Sequence, residues 1–193
     1  MDGIPSGFPK SQPNSLRKTA GQDGFTEENQ ITSAAPIERQ IMKAQPAIPE
    51  GCHAITPYLT VPDAARLIEF LKKAFDGVER ARFLRPDGSV LHAQVRVADS
   101  LLMIGEPQGQ WKPTPSMLYH YVADVDATYK QAIAAGAESV IEPEDMFYGD
   151  RSSCVKDIAE NVWWIATRIE NPTSEEIQKR ATTFFHERAK HAA

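Results

Sequence analysis

Ile55 to Phe75 reads ITPYLTVPDAARLIEFLKKAF, and Leu118 to Ala137 reads LYHYVADVDATYKQAIAAGA, the same grammar used a second time. Each stretch opens on a β-branched and aromatic run that alternates apolar with polar side chains, the pattern of a half-buried strand. An acidic turn follows, Pro62-Asp63 in one and Asp124-Val125-Asp126 in the other, and offers side-chain oxygen to the free N–H groups that open a helix. Then Ala64, Leu67, Ile68, Leu71, Ala74 and Phe75, or Ala127, Tyr129, Ala132, Ile133 and Ala137, fall at spacings that bury one stripe of a helix. A strand–helix unit used twice predicts two related halves sharing a core.

The remaining chain completes both halves alike. Asp76-Gly77 stops the first helix, and Glu79–Leu84 with Ser89–Val97 reads as a hairpin around Arg85-Pro86-Asp87-Gly88, residues suited to a tight turn. Asp99-Ser100 turns the chain into a strand over Leu101–Glu106. The second half repeats this with strands at Met117–Val122, Glu138–Ile141 (ended by Pro143-Glu144-Asp145), Ser152–Lys156 and Val162–Ile169. Beyond Asn171-Pro172, Thr173 and Glu176 stand as a capping box before a helix to about Lys190. The predicted class is α+β: a flexible arm over 1–48, a first βαβββ module over 49–106, a linker over 107–116, a second module over 117–170 and a C-terminal helix over 171–193. The arm is rich in Pro, Gly, Ser, Gln, Asn and Thr and holds too little apolar surface to offset its ordering entropy, although Ile37–Ala44 could form a helical turn or two.

A net charge of −5 over 193 residues, with no basic stripe carrying interleaved aromatics, argues against nucleic acid as a partner. No apolar run reaches membrane-spanning length and no secretory signal pattern opens the chain, which places it in the cytoplasm with no membrane partner. Cys52 and Cys154 stand far apart without metal or disulfide spacing, so both read as idle thiols.

On the second hairpin strand His92, Gln94 and Arg96 share one face, and Glu106 ends the next strand. His92 with Glu106 would make a general base and its orienting carboxylate; the competing reading, a hydrogen-bonded structural histidine and a solvated strand end, ranks ahead of it. His53 reads as a strand-edge residue and His120 as helix-facing or partly buried. Tyr148, Asp150 and Arg151 read either as a clasp that pins a loop or, ranked second, as a cavity mouth meeting an anion.

These phrases resemble the vicinal oxygen chelate superfamily of glyoxalases, bleomycin resistance proteins and extradiol dioxygenases, in its PhnB-like branch. The resemblance rests on IPEGCHAITPYLTV at Ile48–Val61, DAARLIEFLKKAF at Asp63–Phe75, RPDGSVLHAQVRVADSLLMIGE at Arg85–Glu106, DVDATYKQAIAAGA at Asp124–Ala137, FYGDR at Phe147–Arg151 and WIAT at Trp164–Thr167. It implies two curled, open-sided sheets and a homodimer, with one divalent ion in the metal-dependent members, held by His and Glu from the first and last strands of each module. Strand parity puts Thr56, Met103, Tyr119 and Trp164 at those four positions, none a good ligand, so no metal or other cofactor is predicted. The resemblance also places Asp157-Ile158-Ala159-Glu160 where the branch usually carries Asp-Pro-Phe-Gly. Losing that Gly implies a changed turn, because Glu tolerates left-handed angles poorly.

The same parity turns Tyr58, Tyr119, Tyr121 and Trp164 toward the cavity, and with Met103 and Arg151 they make up the expected ligand-binding set. The expected function is therefore binding of a small aromatic or apolar molecule. The alternative is a lyase, isomerase or dioxygenase using a divalent ion on an atypical set from His92, Glu106 and His120. A scaffold assembling through its last helix is a third.

Overall fold

The computed structural model describes residues 46–191. The predicted turn over Ile37–Ala44 and all of the predicted arm before residue 46 lie outside the described residues. The elements run β1 (Tyr58–Thr60), α1 (Ala64–Phe75), β2 (Val78–Leu84), β3 (Val90–Val97), β4 (Ser100–Gly105), β5 (Met117–Tyr121), α2 (Val125–Ala134), β6 (Glu138–Asp145), β7 (Asp150–Lys156), β8 (Val162–Arg168) and α3 (Ser174–His191). Two four-stranded sheets result, ordered β1-β4-β3-β2 and β5-β8-β7-β6. In each, the first strand lies parallel to the last and the hairpin pairs are antiparallel, so the two halves are built alike, as the repeat requires.

Local chemistry sets the helix ends. The Asp63 carboxylate accepts the Arg66 amide at 3.2 Å and the Asp124 carboxylate accepts the Ala127 amide at 2.9 Å, capping α1 and α2. Thr173 and Glu176 close the capping box of α3 reciprocally, with the Glu176 carboxylate accepting the Thr173 amide at 2.8 Å and Thr173 Oγ1 accepting the Glu176 amide at 3.2 Å. The stripe Leu67, Ile68, Leu71, Ala74 and Phe75 is buried throughout. No helix among the described residues is long and apolar enough to cross a membrane.

Three sequence expectations need correction. β6 does not stop before Pro143 but continues to Asp145, with register shifts on either side of Ile141. It is an edge strand, where a proline's missing donor costs nothing on the open side. β1 begins at Tyr58, so Thr56 lies ahead of it, its hydroxyl donating to the His53 carbonyl at 2.9 Å. The turn before β8 does not avoid the left-handed region: Glu160 adopts it at φ 67°. Asp157, only 4 % exposed, holds that turn. Its Oδ1 accepts the amides of Ala159 (2.7 Å) and Asn161 (3.0 Å), and its Oδ2 accepts Asn161 Nδ2 (2.9 Å) and Trp163 Nε1 (2.9 Å).

How the modules join decides where a site can form. α1 and α2 pack on each other, and a single core runs through both modules. Phe75 of α1 meets Trp163 and His120 of the second sheet at ring-centroid distances of 4.7 and 5.3 Å. The helix-side face of each sheet is thus turned inward to the same core, and the opposite face of each, carrying Tyr58 of β1, Tyr119 and Tyr121 of β5 and Trp164 of β8, is turned out.

Candidate ligand-binding faces

The outer face of the first sheet carries Tyr58 on β1, His92 and Gln94 on β3 and Met103 on β4, with Met103 paired to both Tyr58 and Gln94. The Tyr58 ring lies across Gly105, where a Cβ would strike the Tyr58 hydroxyl and come within 3.0 Å of the Leu91 carbonyl; the close approach requires glycine. Beside it a cavity of about 510 Å³ is lined by Tyr58, Thr60, Leu91, Glu106, Gln108 and Trp111. His92 is flanked by rings, Tyr58 at 5.8 Å and Phe83 at 6.3 Å between centroids. The Glu106 carboxylate is engaged elsewhere, its Oε1 accepting the Val90 amide at 3.1 Å. The structure forms no hydrogen bond between His92 and Glu106, so the base-and-orienter pair is not assembled.

The outer face of the second sheet is more polar at its heart. Tyr119 on β5 pairs with Trp164 on β8, and their rings lie parallel (8° between planes, centroids 6.3 Å apart); Tyr121 follows at 5.1 Å from Tyr119. Beneath the two tyrosines lies Asp150, 1 % exposed. Its Oδ2 accepts the hydroxyls of Tyr121 (3.0 Å) and Tyr119 (3.4 Å), and its Oδ1 accepts Arg168 Nη1 at 2.8 Å. Burial first, and the neighbouring phenol and carboxylate after it, push the Tyr119 phenol well above the ordinary range; burial and the Asp150 hydrogen bond raise Tyr121. Both phenols stay protonated at neutral pH. The hydrogen bond to Asp150 likewise raises Arg168. Burial raises the thiol of Cys154, the neighbour of Trp164 on β7, and leaves it an inert wall residue.

The tight turn before β7 keeps Asp150 in place. Gly149 sits at φ 92°, its carbonyl accepts the amides of Ile169 and Glu170 at 3.0 Å each, and a Cβ there would meet Pro172 Cδ at 2.6 Å. Asp150 and Arg168 escaped the sequence reading as a pair. The signal was available: Val155 belongs to the core, so Arg151 and Ser153 share its face, and Asp150, Ser152 and Cys154 take the other.

That parity also corrects Arg151, expected in the ligand-binding set. Its side chain lies on the helix side, where Nε and Nη2 donate to the Asp126 carboxylate at 2.7 and 2.8 Å and Nη1 to Asp145 at 2.9 Å. Those two carboxylates raise its pKa, Asp126 foremost. Arg151 ties the first turn of α2 to the end of β6 and does not face the cavity. The other expected ligand residues do not share one cavity either, since Tyr58 and Met103 stand on the first outer face and Tyr119, Tyr121 and Trp164 on the second.

The positions at which the resemblance would put metal ligands hold Thr56, Met103, Tyr119 and Trp164. His120 is half-buried on the helix side against Phe75, where burial lowers its pKa. Among the described residues no three His, Cys, Asp or Glu side chains converge as a metal site would require. The donor set does not fit a divalent ion.

The profile of the Glyoxalase/Bleomycin resistance protein/Dioxygenase superfamily matches residues 51–165. An uncharacterised protein of Mycobacterium bovis is 35% identical over 136 residues, covering 65% of this chain and 90% of its own length. An uncharacterised Mycobacterium tuberculosis protein shows the same identity over 136 residues, covering 65% of this chain and 80% of its own. Among solved structures, TioX from Micromonospora sp. ML1 superposes with a TM-score of 0.53 at 21% identity, over 60% of this chain and 98% of its own. A superfamily member from Sphaerobacter thermophilus DSM 20745 gives 0.50 at 18% identity, over 60% and 98%. With the repeated module and the family profile in agreement, the chain belongs to the glyoxalase/bleomycin resistance protein/dioxygenase superfamily.

Proposed function

We propose that this protein, a PhnB-like member of its superfamily, binds a small, flat aromatic or apolar molecule on the outer face of the second sheet and does so without a metal ion. The observation that carries this reading is the parallel pair Tyr119 and Trp164, two aromatic rings standing where metal ligands would be expected. Such rings give area and orientation for a stacked ligand, and Asp150 with its tyrosines supplies a few fixed polar groups, the usual composition of a small-molecule site.

An open sheet face is only half a cavity. Tyr58, Tyr119 and Tyr121 are 49, 46 and 59 % exposed, and Phe83 and Met117 are 58 and 72 % exposed. Apolar surface of this kind is characteristic of an interface, and we take the protein to be a homodimer in which a partner chain closes each face.

The test is calorimetric titration with manganese, iron, nickel and zinc, followed by screening of flat aromatic molecules against the wild type and Trp164→Ala. The reading requires no stoichiometric ion and aromatic binding weakened on the order of tenfold or more by removal of the indole. One tightly held ion per chain, lost in His92→Ala, would instead favour a metal-dependent lyase, isomerase or dioxygenase. That enzyme reading needs His92, Glu106 and His120 to converge, whereas the first two sit on the first sheet and His120 faces the helices.

A further inference from the structure

The polar end of the aromatic face is wired in one direction. A carboxylate only accepts hydrogen bonds, and a phenol owns one proton and two lone pairs. Tyr121 directs its proton inward at Asp150 Oδ2 at 3.0 Å, and the Tyr119 proton is taken up within the same network, by Asp150 Oδ2 at 3.4 Å or by the Tyr148 hydroxyl at 3.5 Å; the carboxylate beneath them is 1 % exposed. Their oxygens therefore present lone pairs outward and have no proton left to give. Tyr148 joins the same network, its hydroxyl 3.5 Å from that of Tyr119 and 3.4 Å from Ser152 Oγ. Arg168 is held at the end of β8: Nη1 donates to Asp150 Oδ1 at 2.8 Å and to the Tyr148 carbonyl at 3.1 Å, and Nε points at Asn171 Oδ1 at 3.4 Å.

From this polarity we infer that the ligand is an aromatic molecule whose edge carries an N–H or O–H donor, an aryl amine or N–H heterocycle, read by the outward lone pairs of Tyr119 and Tyr121. The inference rests on the aromatic-wall reading above and adds the chemistry of the ligand's edge to it. A donor edge completes both phenols without disturbing Asp150. An acceptor-only edge finds no phenol proton there unless a phenol leaves Asp150, and a buried carboxylate would then lose a partner; its other donor is the half-exposed Arg168 guanidinium at the end of β8. Sites organised around one hydrogen bond discriminate strongly against molecules that cannot make it.

The experiment compares probes of one shape: 2-aminonaphthalene, 2-methoxynaphthalene and 2-naphthoate, titrated into the full chain by calorimetry and ligand-observed NMR. The amine should bind about tenfold or more tighter than the ether. In Tyr121→Phe, which keeps the ring and removes the outward oxygen, that preference should shrink, whereas Trp164→Ala should weaken amine and ether together. Equal binding of amine and ether would overturn the donor rule while leaving the aromatic wall standing. Tightest binding by the naphthoate would also overturn it, by putting Arg168 in command of the edge. Failure of all three probes to bind would remove the wall reading and this inference with it. The wild-type comparison decides the question even if Tyr121→Phe fails to fold.

Discussion

Asp157→Asn keeps the shape of a side chain and inverts half of its hydrogen bonding. Two carboxylate oxygens now take four donors: the Ala159 and Asn161 amides on one side, Asn161 Nδ2 and Trp163 Nε1 on the other. An asparagine has one oxygen and one NH₂, so in either flip two donors face a third. Each buried donor left without an acceptor costs about 1–3 kcal/mol, and relaxation of the turn recovers part of it; a net loss of about 3 kcal/mol follows. The damage does not stay local. Trp163 is 3 % exposed and packs 4.7 Å from Phe75, while Asn161 Oδ1 accepts the Ser116 amide at 3.0 Å just before β5. Both strands that carry the aromatic wall lean on this turn. Urea unfolding followed by tryptophan fluorescence should show the loss, and the thermal midpoint should fall by roughly 6–12 °C for a body of this size. A loss below about 1 kcal/mol at unchanged m-value would refute the reasoning, because the four contacts would then not hold the turn.

The neighbouring Glu160→Gly should move stability the other way, by about 0.5–1 kcal/mol, since glycine accepts φ 67° without a Cβ clash; the gain is reduced by loss of the Lys156 contact at 3.2 Å, and a destabilised variant would mean that this contact outweighs the strain. His120 makes stability pH-dependent with a definite sign. Burial lowers its folded pKa against the opposing pull of Asp99, so between that pKa and about 6.5 the unfolded chain binds more protons and stability falls as pH falls. Urea midpoints at about pH 8 and about pH 5 should converge more closely in His120→Phe than in the wild type, and equal slopes would show that this imidazole is not linked to folding. Arg151→Met should loosen α2 yet leave binding of the aromatic probes unchanged, because its guanidinium points at Asp126 and Asp145; weaker binding would return Arg151 to the cavity.

Much of the fold was readable because its rules are short-range. The period of two along a strand assigns Leu59 and Ile165 inward and Tyr58 and Trp164 outward without any knowledge of the partner strand. The caps at Asp63, Asp124 and Thr173 are readable for the same reason: donor and acceptor lie three residues apart. The β6 edge was misread at Pro143 because the cost of a proline depends on whether a strand lies on its far side, which is a property of the sheet and not of the segment. Glu160 was misread similarly: its own backbone preference opposes φ 67°, but Asp157 fixes the residues on both sides of it.

The site was legible only up to the point where two faces have to meet. Parity identifies which residues leave the core; it does not say whether the faces they leave by look toward each other. That is settled by Phe75, which bridges from α1 to Trp163 and His120 and so turns both helix-side faces to one core and both aromatic faces away from it. Tyr58 and Trp164, indistinguishable by pattern, thereby come to serve different surfaces. The same packing explains why Asp150 carries so much of the second face. Within one chain that sheet face is open and cannot exclude water by enclosure, so its polar group is buried from below, under two phenols and an arginine. On the proposed reading, a ligand on this wall would be recognised through the lone pairs those phenols leave outward.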